Sequence, residues 1–297
     1  MALACLNTLP AATRAADTEL FVAHPRESNQ PLGKRLQTYD QAELLMVLDE
    51  LAPSPALERD VRAISALLRA GQADVVTDHA LDALGRLRSR EGREVLLYFI
   101  HHRRADARRR AYQALARIGD PRDVRTIGDG LRDSSPHVRN AAARVLGELP
   151  STPGDAGLGS RVVRAAIVDD LLRALVLGVY EAAGTLGKLG DADSVPRLTA
   201  QVGKLPLQVL LAGYANYLER RDLSDKVKLQ IVAVLEDVSG GVVKEFLVAW
   251  LAQSEHRAAS PELQKAIAIA AARVRRLDAA PAAPAAPAAP VAPGAEK

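Results

Sequence analysis

Small and apolar residues recur at a fixed period between residues 80 and 190. Four blocks of eight residues each begin with alanine, carry leucine at the fifth position, a small residue at the sixth and an aliphatic residue at the eighth. The blocks are 80–87, 111–118, 142–149 and 182–189, so the steps between them are 31, 31 and 40 residues. A period of this size is typical of a solenoid, in which each unit stacks on its neighbours.

The spacing inside each block is that of an α-helix. Positions one, five and eight return to one side of a helix, since one turn takes about 3.6 residues. Small residues at positions one and six let a neighbouring helix approach closely. One such helix cannot bury its apolar stripe alone, so the pattern predicts a buried row along stacked helices. The row consists of Ala80, Ala111, Ala142 and Ala182, beside Leu84, Leu115, Leu146 and Leu186.

These features predict an all-α fold, an α-solenoid of stacked antiparallel helix pairs. Apolar residues make up 48% of the chain and aromatic residues only 3%, which suits helices that stack in layers. No run of alternating β-branched residues reaches a strand's length. Helices are predicted at 39–52, 55–70, 73–88, 92–103, 105–118, 122–132, 136–149, 161–175, 177–189, 193–204, 207–220, 223–237, 241–253 and 261–277. Gly119 and Gly190 follow two of them, where glycine can adopt the left-handed conformation that closes a helix.

The chain divides into three parts by composition. Residues 1–36 are expected to be irregular, and 37–278 to form the solenoid. Residues 279–297 repeat Ala-Ala-Pro, which predicts a disordered, extended tail, either a spacer or a ligand for a proline-recognising partner. The Gly- and Pro-rich stretch 150–160 explains the 40-residue step and is either a tolerated insertion or a surface contact.

The third block carries a more specific signature. Asp133 precedes its helix, Arg139 follows six residues later, and Arg108 holds the equivalent position one repeat earlier. Residues 133–149 resemble the second helix of a HEAT repeat, in the short form of phycobilin-lyase-type HEAT-like proteins. The resemblance covers residues 75–190 and implies a HEAT-like superhelix. It also implies a buried structural ladder in which Asp133 pairs with Arg139 and Arg108 stacks behind them.

The residues that enzymes of related architecture use are missing. HEAT-type hydroxylases bind iron through repeated His-Glu pairs, but none of the six histidines here is followed by glutamate. HEAT-like DNA glycosylases use a tryptophan-rich cleft, and this chain has the single Trp250. No Gly-x-Ser-x-Gly, Walker-type loop or Cys-x-x-Cys occurs. We therefore predict no catalytic residue, no metal ligand and no cofactor.

The distribution of charge indicates the class of partner less clearly than the repeats indicate the fold. The net charge is +3, but nine arginines fall within residues 86–110. This region could hold an acidic protein segment, a nucleic-acid backbone or an anionic lipid surface, or simply be the solvated faces of helices. The nearby aromatic residues do not interleave with the arginines as base stacking requires, which disfavours nucleic acid.

One cysteine and no long apolar run predict a cytoplasmic protein without a membrane span.

The resulting prediction is a non-catalytic scaffold or adaptor that binds another protein, one with an acidic segment being a suitable partner. Alternatives are an enzyme or enzyme accessory of the phycobilin-lyase HEAT-like type, and a binder of nucleic acid or another polyanion through 86–110. The oligomeric state is left open. The predicted partner-binding residues lie between the buried positions of the second helices, namely Arg109, Gln113, Arg117, Asn140, Arg144, Tyr180 and Lys188. Arg109, Arg144 and Tyr180 should contribute most, because Arg and Tyr are enriched at binding hot spots.

Overall fold

A computed structural model describes residues 32–38, 40–51, 58–150, 157–238, 240–254 and 260–278. The predictions for the Ala/Pro-rich tail, for most of the 150–160 loop and for residues 1–31 lie outside these ranges. The first helix, Leu32–Arg35, begins inside the segment that the sequence predicts to be irregular.

The described residues form fifteen α-helices and no strand. The helices are α1 Leu32–Arg35, α2 Gln41–Asp49, α3 Glu58–Arg69, α4 Asp74–Leu87, α5 Arg93–Phe99, α6 Ala105–Ile118, α7 Val124–Asp129, α8 Pro136–Leu146, α9 Arg161–Val176, α10 Glu181–Leu189, α11 Ser194–Thr199, α12 Leu207–Glu219, α13 Asp225–Val238, α14 Gly241–Ser254 and α15 Pro261–Asp278. Helix α7 is shorter than predicted because short 3₁₀ turns flank it on both sides. Helix α5 follows a 3₁₀ turn and ends at Phe99, four residues before its predicted end.

The helices pack in two layers. In one layer α2, α4, α6, α8, α10 and α12 contact one another in succession, and we call them the second helices. The helices that precede them, α3, α5, α7, α9 and α11, form the other layer and are called the first helices. Of these, α3, α5, α7 and α9 each pack against the second helix that follows. This is the α-solenoid of stacked antiparallel helix pairs that the sequence predicts.

The predicted buried row is confirmed. Ala80, Ala111, Ala142 and Ala182 are each 0% exposed, and the four leucines beside them are at most 1% exposed. Alanine leaves room for the neighbouring helix, while leucine removes apolar surface from water at roughly 25 cal/mol per Å². The row therefore joins the second helices into one core rather than several separate ones.

The two helix-closing glycines serve different purposes. Gly119 has φ +70°, and its N–H donates to the Leu115 carbonyl at 3.1 Å, which is the expected left-handed cap. Gly190 has φ −63°, so the left-handed prediction is wrong there. A Cβ at position 190 would overlap the Tyr217 hydroxyl and Ser194 Oγ, which form a buried hydrogen bond of 2.6 Å. Glycine is needed at 190 for space, not for backbone conformation.

Helix α10 begins at Glu181, four residues later than the predicted start at 177. Gly178 has φ +87°, a left-handed turn that interrupts the helical run after α9. Tyr180 consequently lies just before α10 instead of within it, and its side chain is 47% exposed.

Candidate interaction surface

The outward positions of α4, α6, α8 and α10 share one side of the solenoid, which we call the second-helix face. The Ala and Leu positions point into the core, so the positions between them must point away from it. The seven predicted partner-binding residues are all accessible: Arg117, Asn140, Arg144, Tyr180 and Lys188 are exposed, and Arg109 and Gln113 are half-buried.

Two adjoining grooves run over α6 and α8 on this face. The N-terminal groove, about 430 Å³, is lined by residues of α6 and α8 together with Glu181 of α10, and includes Asp106, Arg109, Gln113, Asn140, Arg144 and Glu181. The C-terminal groove, about 490 Å³, is lined by the C-terminal parts of α6 and α8 and by residues that follow α4 and α8, and includes Arg88, Gln113, Arg117, Arg144, Glu148 and Pro150. Gln113 and Arg144 border both grooves. Five of the seven predicted residues thus come together, whereas Tyr180 and Lys188 line neither groove.

The two grooves differ in charge. In the N-terminal groove two acidic residues balance two arginines, and Arg109 Nη2 lies 3.5 Å from an Asp106 carboxylate oxygen. The C-terminal groove has three arginines, Arg88, Arg117 and Arg144, against the single acidic residue Glu148. Positive charge therefore exceeds negative charge only in the C-terminal groove.

Glycines on one helix support cationic side chains from the next. A Cβ at Gly85 of α4 would lie 3.3 Å from Cδ of Arg117 on α6, and a Cβ at Gly147 would lie 3.3 Å from Cδ of Lys188 on α10. The aliphatic stems of these two side chains therefore cross the preceding repeat where it lacks a side chain, while their charged ends stay in solvent. This packing holds the cations at defined places on the face.

Arg88 has an unusual backbone. It follows the first block, at the position that Gly119 occupies after the second block, and both residues are left-handed. Within the described chain Arg88 is the one non-glycine residue with positive φ, at +51°. The left-handed conformation costs a residue with a Cβ about 1–2 kcal/mol. Arginine at this position therefore makes the folded protein less stable than glycine would, as far as the backbone conformation is concerned.

Arg88→Gly should therefore leave the protein as stable or stabilise it by up to about 1 kcal/mol, since part of the strain relief is offset by the greater entropy of unfolded glycine. Chemical denaturation of both proteins measures the difference. A marked loss of stability would mean that Arg88 makes a structural contact that outweighs its backbone strain.

The Arg-rich region 86–110 is largely neutralised. Seven of its nine arginines lie within 4.0 Å of a carboxylate oxygen in the described chain: Arg86, Arg90, Arg93, Arg104, Arg108, Arg109 and Arg110. Arg104 and Arg110 both contact Asp78, and Arg110 also pairs with Asp82. Asp78 and Asp82, both on α4, are thereby engaged in ion pairs with α6 or the residue before it. Most of the positive charge of this region is therefore compensated by the protein's own carboxylates.

The structural ladder forms with different partners from those expected. The Asp133 carboxylate pairs with Arg108, whose Nε and Nη2 donate to Oδ2 and Oδ1 at 2.8 Å each. Arg139 does not reach this carboxylate; its Nη1 donates to the main-chain carbonyls of Asp133 and Ser134 at 2.8 and 3.1 Å. The expected Asp133–Arg139 ion pair is corrected accordingly. Arg108 lies on α6, and Asp133 precedes α8 in the next repeat. The two parallel hydrogen bonds from the Arg108 guanidinium to this carboxylate therefore join successive repeats.

Arg108 and Arg139 make the same contacts in their own repeats. Arg108 Nη1 donates to the carbonyls of His102 and Arg103, six and five residues before it, as Arg139 does in the next repeat. His102 stands where the next repeat has Asp133, and each accepts a bond from the backbone N–H two residues later, His102 through Nδ1. Burial, with the positive charges of Arg104 and Arg103, lowers the pKa of His102, which favours the neutral ring that can accept.

A second inter-repeat pair escapes sequence reasoning. Arg93 at the start of α5 binds both carboxylate oxygens of Asp123, at 2.8 and 3.0 Å from Nε, and the Asp123 side chain is 0% exposed. The two residues are 30 positions apart, close to the repeat period. Opposite charges separated by about one period were the signal that could have found this pair.

No group of three or more His, Cys, Asp or Glu in the described ranges is arranged to hold a metal ion. Over the same residues, no helix has the length and apolar character needed to span a bilayer.

Comparison with known families agrees with this geometry. The model of the HEAT-repeat family matches residues 61–147, which contain α4, α6, α8 and the ladder. This stretch of the chain consists of HEAT repeats. No curated protein matches the sequence.

Two solved structures resemble this chain, both of them engineered proteins from the Northeast Structural Genomics Consortium. One is 19% identical with a TM-score of 0.46, and the match covers 82% of this chain and 77% of that one. The other is 18% identical with a TM-score of 0.31, and the match covers 82% of this chain and 95% of that one.

Proposed function

We propose that this HEAT-repeat protein is a non-catalytic scaffold that binds another protein on its second-helix face. The observation that carries the proposal is the pair of adjoining grooves over α6 and α8, whose lining includes five residues predicted as partner contacts. A HEAT solenoid presents a long surface, and here that surface is recessed and polar with arginines at its rim. The cytoplasmic location stays a prediction that rests on the single cysteine.

Arginine provides the chemistry of this surface. Its planar guanidinium binds carboxylates through two parallel hydrogen bonds and stacks on flat groups, so exposed arginines in a groove favour acidic or amide-rich protein segments. Arg144 borders both grooves and is exposed, and Tyr180 lies just before the next second helix, α10. The partner therefore meets residue types that carry most of the binding energy in protein interfaces.

The alternatives have less support. Seven of the nine arginines within residues 86–110 pair with carboxylates, which leaves a polyanion few free cations in that region. An enzyme of the phycobilin-lyase HEAT-like type would need a chromophore site, and neither of these two grooves has Phe, Tyr, Trp or Cys among its lining residues.

The triple variant Arg109→Ala, Arg144→Ala, Tyr180→Ala should lose capture of partner proteins by about tenfold or more, since hot-spot residues each contribute about 2 kcal/mol or more. Capture is measured by pull-down from native lysate with the proteins identified by mass spectrometry, at low and high salt. Helical circular dichroism and melting temperature should stay at wild-type values, because all three side chains lie outside the core.

A matched control carries the same types of change on the first helices. Arg59, Arg125 and Tyr98 are exposed residues of α3, α7 and α5, and their triple alanine variant should capture the same proteins as the wild type. Undiminished capture by the second-helix variant would make the proposal wrong, and the 150–160 loop would be the next site to test.

A further inference from the structure

We propose that the C-terminal groove, extended by Lys188, binds an acidic peptide segment in an extended conformation with carboxylates at every third residue. This inference rests on the proposed function and adds the chemistry and the register of the partner. Its basis is a row of cations, Arg88, Arg117, Arg144 and Lys188, which we call the cation row.

The cation row has one member on each of four successive second helices. Arg88 caps α4, and Arg117, Arg144 and Lys188 lie in the last turns of α6, α8 and α10. All four side chains are exposed, and none lies within 4.0 Å of a carboxylate oxygen in the described part of the chain. This contrasts with the neighbouring arginines of 86–110, most of which are paired.

The helix dipole alone does not explain why the cation row lies at the C-terminal ends of the second helices. Cations in the last turn of a helix are favourable wherever they occur, because the C-terminal carbonyls carry partial negative charge. That effect gives no reason for Arg88 to adopt a left-handed backbone, at a position where glycine serves after α6. A strained residue at the rim of a groove indicates that its side chain is needed there.

The spacing of the row sets the register of the peptide. Packed helices lie about 8–10 Å apart, so neighbouring cations are about one such step from each other. An extended or polyproline-type chain rises about 3.1–3.4 Å per residue, and three residues therefore cover one step. The polyproline form also returns to the same side every three residues. A helical peptide rises only about 4.5 Å in three residues and would not match.

The groove fits a protein segment better than a nucleic acid. Glu148 lies in the C-terminal groove among the arginines, and a phosphate backbone, charged at every nucleotide, would face its repulsion. A peptide can place an uncharged residue opposite Glu148. No aromatic side chain lines the groove, so bases would find no stacking surface there.

The test uses the full chain and three fluorescent probes of equal charge, measured by anisotropy at low salt. The first is a peptide with four aspartates separated by Ala-Pro pairs, the second has the same composition with the aspartates adjacent, and the third is a single-stranded oligonucleotide. The spaced peptide should bind about tenfold more tightly than the clustered one, since register determines how many carboxylates meet a guanidinium.

Two variants of the cation row and one control variant examine the site itself. Arg117→Glu should weaken binding of the spaced peptide by about tenfold or more, because it replaces an attractive contact with a repulsive one. Arg125→Glu, an equal change of charge at an exposed position on α7, should change it less than about twofold. Arg88→Gly, which relieves backbone strain, should also weaken binding, so loss of folding cannot account for the effect.

Equal affinity for the spaced and clustered peptides would overturn the register. Tighter binding of the oligonucleotide would overturn the choice of a protein segment, and unchanged binding by Arg117→Glu would overturn the site. If any of these occurs while the Arg109, Arg144 and Tyr180 variant still loses partner capture, the proposed scaffold function stands and only this inference fails.

Discussion

Asp133→Ala should lower the free energy of unfolding by about 3 kcal/mol, because it leaves Arg108 with an unpaired charge in a largely buried position. The side chains of Asp133 and Arg108 are only 9% and 13% exposed, and their two hydrogen bonds join successive repeats. The Asp133 carboxylate also accepts from the N–H of Ser135 ahead of α8. Urea denaturation followed by circular dichroism measures the loss.

Two comparisons separate the pair from general effects. Asp129→Ala removes an aspartate that is 72% exposed and 3.8 Å from Arg132, and should cost less than about 1 kcal/mol. Combining Asp133→Ala with Arg108→Met should cost less than the sum of the two single changes, since no unpaired charge is then buried. Equal losses for Asp133→Ala and Asp129→Ala would contradict the structural role of the ladder.

The Asp133–Arg108 pair should also make the free energy of unfolding depend on pH. Burial by itself would raise the pKa of Asp133, but the hydrogen bonds from Arg108 and the Ser135 N–H bring the pKa below its ordinary value. Because the folded pKa is lowered, the stabilisation is fully present above the unfolded value of about 3.9 and is lost as pH falls through the folded value. The stability gap between wild type and Asp133→Ala should accordingly narrow at acidic pH.

Ala142→Leu should destabilise the protein by about 1–3 kcal/mol by overpacking the alanine row. Ala142 is 0% exposed, and its Cβ lies 2.9 Å from where a Cβ on Gly130 would be, so the second helix and the preceding 3₁₀ turn are already in close contact. The three additional carbons of leucine have no space without a shift of one of these elements. The denaturation midpoint measures the effect.

Asn140→Leu serves as the control for this change. It adds a leucine to the same helix two residues away, but at an exposed position, and should change stability by about 0.5 kcal/mol or less. An unchanged midpoint for Ala142→Leu would show that the row is looser than its burial indicates.

The sequence by itself determined the helices, their stacking and the direction of their side chains. The period of 31 residues and the Ala-Leu spacing are enough for this, because a helix places residues three and four apart on one side whatever it packs against. The burial of Ala80, Ala111, Ala142 and Ala182 follows from that rule, as does the accessibility of Arg117 and Arg144. The sequence places the start of α10 too early, because Gly178 can continue a helix or end it and the sequence does not distinguish the two.

Only the tertiary structure decided which charges meet. Asp133 has Arg139 six residues away in sequence, yet its carboxylate binds Arg108 of the preceding repeat, and Asp123 binds Arg93 from 30 residues earlier. It also decided that Gly190 makes room for Tyr217. In the described part of the chain it leaves Arg88, Arg117 and Arg144 without a carboxylate oxygen within 4.0 Å, while most arginines of residues 86–110 have one. Ion pairing depends on distances of a few ångströms between side chains of different repeats, and such distances are set by how the repeats stack rather than by the order of residues within one helix.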